Sequence, residues 1–281
     1  MIYPKTAQGR ETIAAHYNDL DPFYRAIWGE HVHHGYWKTG RETVEVATFQ
    51  LTELVAEQAQ LFSGAHVCDV GCGYGATSRL LASNWGAKVT ALSISAAQLA
   101  FAKSKSLNEE NPNFLLCDFL ENQLPDRSFD AVISIESSEH MVDKEKFFSE
   151  SFRLLRKGGR FVTCAWLSAT EPRPWEERLL LEPICREGRL PNMGSEVDYF
   201  EMMQNAGFQD IQFQDLSSAV KKTWSIIIRR TMKAFFTDPD LRAFVLNKEA
   251  GERIFAKTLF RLWGSFLFKS MRYGIFTAQK P

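Results

Sequence analysis

The sequence predicts an α/β fold in which a doubly wound, mostly parallel sheet of seven strands carries helices on its faces and helical caps over one edge. Strand and helix patterns alternate from residue 66 to residue 167, and a glycine-rich turn, "GCGYGA", separates the first strand of this series from the first helix. Such alternation is typical of parallel βαβ units. Because ligands of these sheets bind beyond the carboxyl ends of the strands, we expect the functional site at that edge.

The elements follow in order along the chain. Short helical stretches within residues 12–40 precede a helix at 42–62, which has apolar residues at helical spacing and ends at Ser63-Gly64. The predicted strands are His66–Val70, Lys88–Ile94, Asn113–Asp118, Phe129–Glu136 and Gly159–Leu167, and the predicted helices among them are Ala76–Trp85, Ala96–Glu110 and Lys144–Leu155. Beyond them, "EMMQNAGFQDIQFQDLS" predicts a helix, a turn at Gly207 and a strand, and "VKKTWSIIIRRTMKAFF" and "ERIFAKTLFRLWGSFLFKSM" predict two basic, aromatic-rich amphipathic helices.

Composition limits the classes of partner. The 281 residues suffice for a full core, as one enlarged domain or a domain with a cap, and 33 basic against 34 acidic residues give no electrostatic case for nucleic acid. The five cysteines contain no CxxC pair, which predicts reduced thiols. The amino terminus lacks the apolar core of a signal peptide, and no apolar run reaches the roughly 20 residues that span a bilayer, so we expect a soluble, cytoplasmic protein.

The glycine turn indicates the ligand. Gly71, Gly73 and Gly75 let the backbone approach a ligand without side chains in between. Asp69 precedes them, and a carboxylate there repels a pyrophosphate but can orient the amines or bound water of a cationic, phosphate-free ligand. The turn therefore predicts S-adenosylmethionine as the cofactor, the alternative being a plain tight turn with a solvated Asp69.

The end of the second strand disfavours a nicotinamide cofactor. An NAD-binding enzyme places an acid there for the ribose, whereas this chain offers Ser93, Ser95 and Gln98. Ser95 is also suited to capping the following helix. After the third strand, Asp118 and Phe119 are candidates for binding the adenine amino group and stacking on its ring, or else for a turn cap and a core residue.

The candidate chemistry lies after the fourth strand. Glu136 ends this apolar strand, so its carboxylate should face the sulfonium side of the site. His140 follows within one short loop, and an imidazole is well matched to removing a proton near neutral pH. Deprotonating a phenol activates its oxygen and its ring carbons, so the same base serves O- and C-methylation; the alternative is a helix start with an exposed histidine. The histidines of "HVHH" lack acid or cysteine partners at ligand spacing, so we expect no metal.

Four motifs in this order resemble the gamma-tocopherol methyltransferase group of class I S-adenosylmethionine-dependent methyltransferases, which have a Rossmann-like sheet. They are "IWGEHVHHGYW", "VCDVGCGYGATS", "ALSISAAQ" and "IESSEHMVDKEKFFSESFRLLRKGGRF", and "MRYGIFTAQKP" resembles the last strand of that group. The resemblance implies that Ser93, Ser95 and Gln98 contact the ribose and amino-acid ends of the cofactor. It also implies that the amino-terminal segment is a lid, in which Tyr17, His34, Gly35 and Tyr36 close over the methionine end. We assign the substrate side to Trp28, Tyr36, Trp37 and Trp166.

The sequence thus predicts three parts: an N-terminal helical cap and cofactor lid (1–62), a cofactor-binding core (63–167), and the rest of the sheet with helical insertions over the substrate (168–281). The predicted activity is S-adenosylmethionine-dependent methylation of a hydrophobic small molecule with a phenolic or prenylated acceptor group. N-methylation of a small amine, an NAD(P)-dependent oxidoreductase and a non-catalytic carrier are the alternatives. The amphipathic helices either roof a large apolar pocket or touch a membrane surface transiently, because Lys221, Lys222, Arg229, Arg230 and Lys233 cluster there.

Overall fold

The computed structural model describes residues 1–106, 110–247 and 255–281, and its centre is one seven-stranded sheet in the order β3-β2-β1-β4-β5-β7-β6. The strands are β1 His66–Val70, β2 Lys88–Ser93, β3 Asn113–Leu116, β4 Phe129–Ile135, β5 Leu155–Ser168, β6 Gln209–Asp215 and β7 Met271–Gln279. Strands β1 to β5 pair in parallel, and β7 is antiparallel to both β5 and β6. The predicted fold class is confirmed.

Helices cover both faces of this sheet and one of its edges. Before the sheet lie α1 Arg10–Asp19, α2 Asp21–Ile27 and α3 Val44–Gln58, and within it lie α4 Ala76–Trp85, α5 Ala96–Ser104 and α6 Lys144–Leu154. After β5 come α7 Pro174–Glu176, a π-helical turn Glu177–Leu181, α8 Glu182–Glu187, α9 Glu196–Asn205, α10 Ser217–Val220, α11 Lys222–Thr237, α12 Pro239–Leu246 and α13 Phe255–Phe268. Short 3-10 turns at Phe119–Glu121 and Ser138–His140 follow β3 and β4.

Alternating side chains of the strands enter two apolar clusters, one on each face. In β1, Val67 joins the cluster shared with α3 and α4, while Cys68 and Val70 join the cluster shared with α6 and α9. Both faces are therefore buried, as a parallel sheet requires. All five cysteines are free thiols.

Local signals set several element ends. The hydroxyl of Ser95 accepts a hydrogen bond from the backbone N–H of Gln98, so it caps α5 as expected. The predicted strand to Glu136 ends one residue earlier, because Glu136 takes a left-handed φ of +53°. The strand predicted from Gly159 begins already at Leu155, which pairs with Phe129 before a register shift.

Two predicted helices differ at their ends. The helix predicted to Glu110 ends at Ser104, and residues 107–109 of that prediction lie outside the described residues. The last amphipathic helix is described from Phe255, so the first residues of its predicted stretch also lie outside them.

The three predicted parts of the chain share one sheet. Strands β6 and β7, from the last part, extend the sheet begun by β1 to β5. Helix α1 lies over the carboxyl ends of β1 to β4, and α2 packs with α11, α12 and α13 around a separate apolar space. No helix within the described ranges is both long and apolar enough to span a bilayer.

Candidate active site

A large cavity opens at the carboxyl ends of β1 to β4, where the sequence predicts the site. Nine predicted residues line this large cavity: Tyr17, Gly71, Gly73, Ser93, Gln98, Asp118, Phe119, Glu136 and His140. Residues that the sequence did not single out also line it, among them Arg10, Ile13, Val32, Cys117 and Ser137. Arg10 and Ile13 belong to α1, so the amino-terminal helix closes over the cavity. The sequence predicted a lid in this region but gave no signal for these two residues in particular.

The three glycines of the turn serve different purposes. A Cβ on Gly71 would lie 2.3 Å from the Cβ of Ser137, and one on Gly75 would lie 2.6 Å from the ring of Phe114. These two glycines therefore allow close packing of the protein itself. Gly73, with φ +53°, faces open space in the large cavity, so it alone of the three leaves room for a ligand.

Asp69 is buried beside this turn. Its Oδ2 accepts a hydrogen bond from the Ser78 hydroxyl at 2.5 Å, which ties the end of β1 to α4. Burial raises the pKa of Asp69 to about 6, although the Ser78 hydrogen bond opposes the shift. Asp69 lines a recess that shares Gly71 and Gly73 with the large cavity. Its carboxylate can therefore receive a cationic group placed against the glycine turn.

Near the ends of β2 and β3, the polar side chains that line the large cavity are held in fixed orientations by hydrogen bonds. Oδ1 of Asp118 accepts from the N–H of Leu120, and Oδ2 lies 3.5 Å from Nε of Arg10. The Ser93 hydroxyl donates to Oε1 of Gln98, which fixes the orientation of that amide. Arg10 is the single Lys or Arg among the described residues that line the large cavity, and it is already paired with Asp118 and Glu121. The cavity therefore suits a ligand without phosphate groups.

Glu136 forms the wall between the large cavity and a smaller one. Its carboxylate accepts four hydrogen bonds: from the N–H of His34 at 2.6 Å, Nδ1 of His34 at 3.0 Å, Nε1 of Trp166 at 2.9 Å and the hydroxyl of Tyr273 at 2.8 Å. Burial alone raises the pKa of Glu136, but the charge interaction with His34 and its hydrogen bonds outweigh burial and hold the pKa below its ordinary value. A carboxylate so fully hydrogen-bonded is a poor proton acceptor.

The smaller cavity, here called the inner cavity, lies behind Glu136. It is lined by Tyr17, Tyr24, Trp28, Val32, Glu136, Glu139, His140, Trp166, Gly188 and Leu190. Tyr17, Val32, Glu136 and His140 line the large cavity as well. A molecule in the inner cavity therefore lies next to one in the large cavity. The polar side chains of Tyr17, Glu136 and His140 are adjacent to both.

Glu139 contributes a carboxyl group of a different kind from Glu136. Its Oε1 accepts from the N–H of Trp166 at 2.5 Å, and the Ser138 hydroxyl lies 3.3 Å from Oε2. Burial raises the pKa of Glu139 to about 8, with the charge of Glu136 adding to the shift. The buried ammonium group of Lys144 donates to the Glu139 backbone oxygen, and burial lowers the pKa of Lys144 to about 8. Glu139 is thus a buried acid that can change its charge near neutral pH.

His140 is buried and held from both sides. Its Nε2 lies 2.8 Å from the Tyr17 hydroxyl, and Nδ1 lies 3.4 Å from the carbonyl oxygen of Arg189. A carbonyl oxygen only accepts, so Nδ1 carries the proton and Nε2 accepts from Tyr17. Burial, followed by the interaction with His16, lowers the pKa of His140 to about 3. Its imidazole is therefore neutral, and its one lone pair is already hydrogen-bonded.

An apolar chamber adjoins the inner cavity through Tyr24 and Trp28, which line both. The other lining residues of this apolar chamber are Leu20, Phe23, Ile27, Ile227, Thr231, Leu241, Phe244, Val245 and Leu259. They come from α2 and from α11, α12 and α13, so both terminal caps build it. Thr231 supplies a buried hydroxyl, and its Oγ1 has no hydrogen-bond partner among the described residues.

Several predicted contact residues support the site from behind. Ser95 is fully buried, and its hydroxyl donates to Asn18 at 2.7 Å, which fastens α1 to α5. Gly75 packs on Phe114, as described above. The atoms of these two residues face protein, and neither residue lines the large cavity, so their direct contact with the cofactor stays a prediction.

The "HGYW" segment also differs from its predicted role. His34 is fully buried among aromatic rings, the nearest being Tyr273 at 4.9 Å and Trp224 at 5.0 Å between centroids. The N–H of Gly35 and Nε1 of Trp37 both donate to the Thr223 hydroxyl, and the N–H of Tyr36 donates to the backbone of α3. These residues attach the lid to α3 and α11 and line none of the cavities above, so their contacts with cofactor or substrate stay predictions. Trp28 and Trp166 do line the inner cavity.

His31 and His33 face the recess beside Asp69. Nδ1 of His31 lies 3.0 Å from Nε2 of His33, and Nδ1 of His33 donates to the backbone oxygen of His34 at 2.8 Å. Within the described parts of the chain, no three His, Cys, Asp or Glu side chains are grouped as metal ligands.

The sheet and the large cavity together define a class. An open glycine at the end of β1, a buried acid beside it and an acid at the end of β3 fit S-adenosylmethionine, and no cation is available for a pyrophosphate among the lining residues described. The protein is a class I S-adenosylmethionine-dependent methyltransferase with a Rossmann-like sheet. The profile of the mycolic acid cyclopropane synthetase family matches residues 4–261, and the chain belongs to that family.

Individual relatives agree with this assignment. The chain is 32% identical to the tocopherol O-methyltransferase of Arabidopsis thaliana, over 97% of this chain and 82% of that protein. It is 30% identical to the 27-O-demethylrifamycin SV methyltransferase of Amycolatopsis mediterranei, over 91% of this chain and 92% of that protein. The solved structure of the cyclopropane synthase MmaA2 of Mycobacterium tuberculosis matches with a TM-score of 0.85 and 20% identity, over 98% of this chain and 100% of that one. The predicted resemblance to tocopherol methyltransferases is confirmed.

Replacing Gly73 with valine should abolish binding of S-adenosylhomocysteine, as measured by calorimetry, because the side chain enters the large cavity. Gly64→Val is the matched control. Gly64 also has a left-handed φ, of +87°, and open space around it, but it lies in the turn before β1. Both variants therefore carry similar backbone strain. Equal affinity in the Gly73 variant and the wild type would contradict the placement of the cofactor.

Glu139 should lower the free energy of unfolding of the cofactor-free protein as the pH rises from 4.5 to 8, and this contribution should appear as a pH-dependent difference between the wild type and Glu139→Gln. The pKa of Glu139 is raised from 4.5 to about 8, so its stabilising contribution is full below pH 4.5 and is lost as the pH rises towards 8. Other groups act in the opposite direction: burial lowers the pKa values of His31, His33 and His140, which makes stability rise up to about pH 7, and lowers that of Lys144 to about 8, which makes stability rise above it, so the Glu139 contribution is obtained as the difference between the wild type and Glu139→Gln. The slope is at most about 1.4 kcal/mol per pH unit. Thermal unfolding of Glu139→Gln should lose this slope, and an unchanged slope would show that Glu139 titrates normally.

Proposed function

We propose that the enzyme methylates a phenolic oxygen of a hydrophobic acceptor whose reacting group lies in the inner cavity and whose apolar part occupies the apolar chamber. The observation that carries this proposal is that the inner cavity and the apolar chamber adjoin each other at Tyr24 and Trp28. The inner cavity has a carboxyl group that titrates near neutral pH, and the chamber next to it has predominantly apolar walls. An acceptor with one acidic hydroxyl and a large apolar portion matches both.

Glu139 is the proposed base. S-Adenosylmethionine, when bound, supplies an electrophilic methyl group and retains the bonding electrons on sulfur as the new carbon–oxygen bond forms. The Glu139 carboxylate takes the phenolic proton, so the proton ends on its carboxyl group and the negative charge moves to the phenol oxygen. A base works best when its pKa lies near the working pH, which holds for Glu139 at about 8 and not for His140 at about 3.

His140 and Tyr17 have a different proposed role. The Tyr17 hydroxyl donates to Nε2 of His140, and both side chains line the two cavities. Held in this way, the Tyr17 ring has a fixed position on the wall shared by the two cavities and can orient the acceptor by packing against it, which leaves the single phenolic proton for Glu139. Alignment of the reacting groups is a large part of catalysis, so this pair is proposed to position the acceptor. This replaces the predicted assignment of His140 as the base.

Relatives support an oxygen acceptor. Two of them are a tocopherol O-methyltransferase and a 27-O-demethylrifamycin SV methyltransferase, whose names specify oxygen acceptors. Another relative is a sarcosine/dimethylglycine N-methyltransferase, so nitrogen acceptors occur among similar chains. The apolar lining of the chamber favours the phenol over a small, charged amine, and membership of the family sets aside the oxidoreductase alternative.

A direct test supplies S-adenosylmethionine carrying a labelled methyl group together with 4-alkylphenols, prenylated hydroquinones and alkylamines. We expect labelled aryl methyl ethers by mass spectrometry and NMR. A label on a ring carbon would show that the enzyme methylates carbon and not oxygen of the same class of acceptor. Labelled amines without labelled phenols would overturn the proposal.

The identity of the base can be tested with 4-hexylphenol. Wild-type turnover should rise with pH and level off near pH 8, as Glu139 ionises. Glu139→Gln should lose about 10²- to 10⁴-fold near pH 7 and then keep rising towards the phenol pKa of about 10. His140→Ala is the comparison. It should lower turnover by a similar factor at every pH and keep the levelling near pH 8, and the reverse pattern in the two variants would make His140 the base.

The apolar chamber should determine chain-length preference. From 4-methylphenol to 4-octylphenol, kcat/KM of the wild type should rise by up to about fourfold per methylene, which corresponds to about 0.8 kcal/mol for each buried CH₂. Val245→Trp fills part of the chamber and should flatten this rise while leaving 4-methylphenol and S-adenosylhomocysteine affinity unchanged. A wild-type series without chain-length dependence would show that the acceptor does not enter the chamber.

A further inference from the structure

Helices α11 and α13 have an outer face that is unusually apolar for a protein surface. Met232 and Phe236 on α11, and Phe260, Trp263 and Leu267 on α13, have exposed fractions between 43% at Trp263 and 73% at Phe236. On each helix they are spaced by three or four residues, so they lie along one side. The opposite sides of both helices are buried in the core. Exposed aromatic rows of this kind mark interaction surfaces.

The same two helices concentrate positive charge. Helix α11 contains four basic residues and no acid, and α13 together with Lys269 contains three basic residues and no acid. The whole chain is almost neutral, with 33 basic and 34 acidic residues. The nearest acids in sequence after α11 are Asp238 and Asp240, at the start of α12, and the side chain of Asp238 is occupied in capping that helix.

Not every basic residue of the predicted cluster is available at this face. Lys222 donates to the Gly40 backbone and lies over the ring of Trp37, Arg230 donates to the Ile27 backbone, and Arg261 pairs with Glu187. These three attach the helices to the rest of the protein. Four others are exposed beside the apolar rows: Arg229, Lys233, Lys257 and Lys269.

Arg229 and Lys233 follow the same side of α11 as Met232 and Phe236, at intervals of three and four residues. On α13, Lys257 lies one turn before Phe260, and Lys269 comes directly after the helix. Each apolar row is thus accompanied by basic side chains. The aromatic face, defined as these four basic residues with Met232, Phe236, Phe260, Trp263 and Leu267, combines insertion groups with positive charge.

We propose that the aromatic face docks on a lipid bilayer that contains anionic headgroups. Aromatic and aliphatic side chains insert at the boundary between headgroups and acyl chains, while Lys and Arg attract anionic lipids. The charge complementarity selects a bilayer over a second copy of this chain, because two copies would bring like charges together. This proposal concerns the outer surface of the protein and does not depend on which reaction the enzyme catalyses.

The position of the aromatic face has a consequence for the acceptor, which rests on the proposed function. Helices α11 and α13 supply Ile227, Thr231 and Leu259 to the wall of the apolar chamber from their inner sides. A protein docked through the outer sides would hold this chamber within one helix diameter of the acyl chains, about 10–12 Å. A hydrophobic acceptor could then enter from the bilayer.

Vesicle sedimentation tests the docking without any acceptor. The wild type should sediment with vesicles of phosphatidylcholine and phosphatidylglycerol, much less with phosphatidylcholine alone, and less as NaCl is raised. Phe260→Ser and Trp263→Ser should each weaken binding severalfold, and Lys233→Glu with Lys257→Glu should weaken it at least about tenfold. All of these changes lie on the surface, and unchanged S-adenosylhomocysteine affinity checks that the fold is intact.

Matched controls separate the face from general surface effects. Phe62→Ser removes an equally exposed phenylalanine, 58% against 55% for Phe260, near the opposite edge of the sheet, and Lys146→Glu reverses an exposed charge on α6. Both should bind vesicles like the wild type. Absence of wild-type binding, or equal loss in test and control variants, would overturn the proposal. So would a wild-type dimer in size-exclusion chromatography that Trp263→Ser converts to a monomer, since a second copy would then cover the face.

Discussion

The buried carboxylate of Glu136 is the constraint around which the site is arranged. A buried charge must be fully hydrogen-bonded, and the four donors to Glu136 come from the lid through His34, from β5 through Trp166 and from β7 through Tyr273. Glu136 itself directly follows β4 in a left-handed conformation, and its side chain is within hydrogen-bond distance of these donors. One ionised group thereby joins four separate segments and forms the common wall of the large and inner cavities.

Two carboxyl groups three residues apart have opposite properties because their partners differ. Glu136 has four donors and remains ionised, whereas Glu139 is equally buried, has fewer donors and lies near the charge of Glu136, which favours its neutral form. Pairs of acids with separated pKa values are a common way to divide structural and catalytic duties. Here Glu136 maintains the architecture, and Glu139 is the group able to exchange a proton.

The sequence predicted what is local and missed what depends on distant contacts. The strand ends, the open glycine at Gly73 and the acids Asp69 and Asp118 follow from short-range patterns, and the structure places them at the predicted edge of the sheet. The donors of Glu136 come from residues 30 to 137 positions further along the chain, or 102 positions before it, so no local pattern could reveal them. The sequence predicted His140 as the base because imidazole is a common proton acceptor. Its burial and its hydrogen bond to Tyr17 depend on a residue 123 positions away, so only the fold shows them.

The most direct measurement is a ¹³C NMR titration of the glutamate side-chain carboxyls, with the two signals assigned from Glu136→Gln and Glu139→Gln. The structure predicts that the Glu139 carboxyl titrates near pH 8 and that the Glu136 carboxyl stays ionised to below its ordinary pKa of 4.5. Ordinary titration of both groups near pH 4.5 would contradict the division of roles between them.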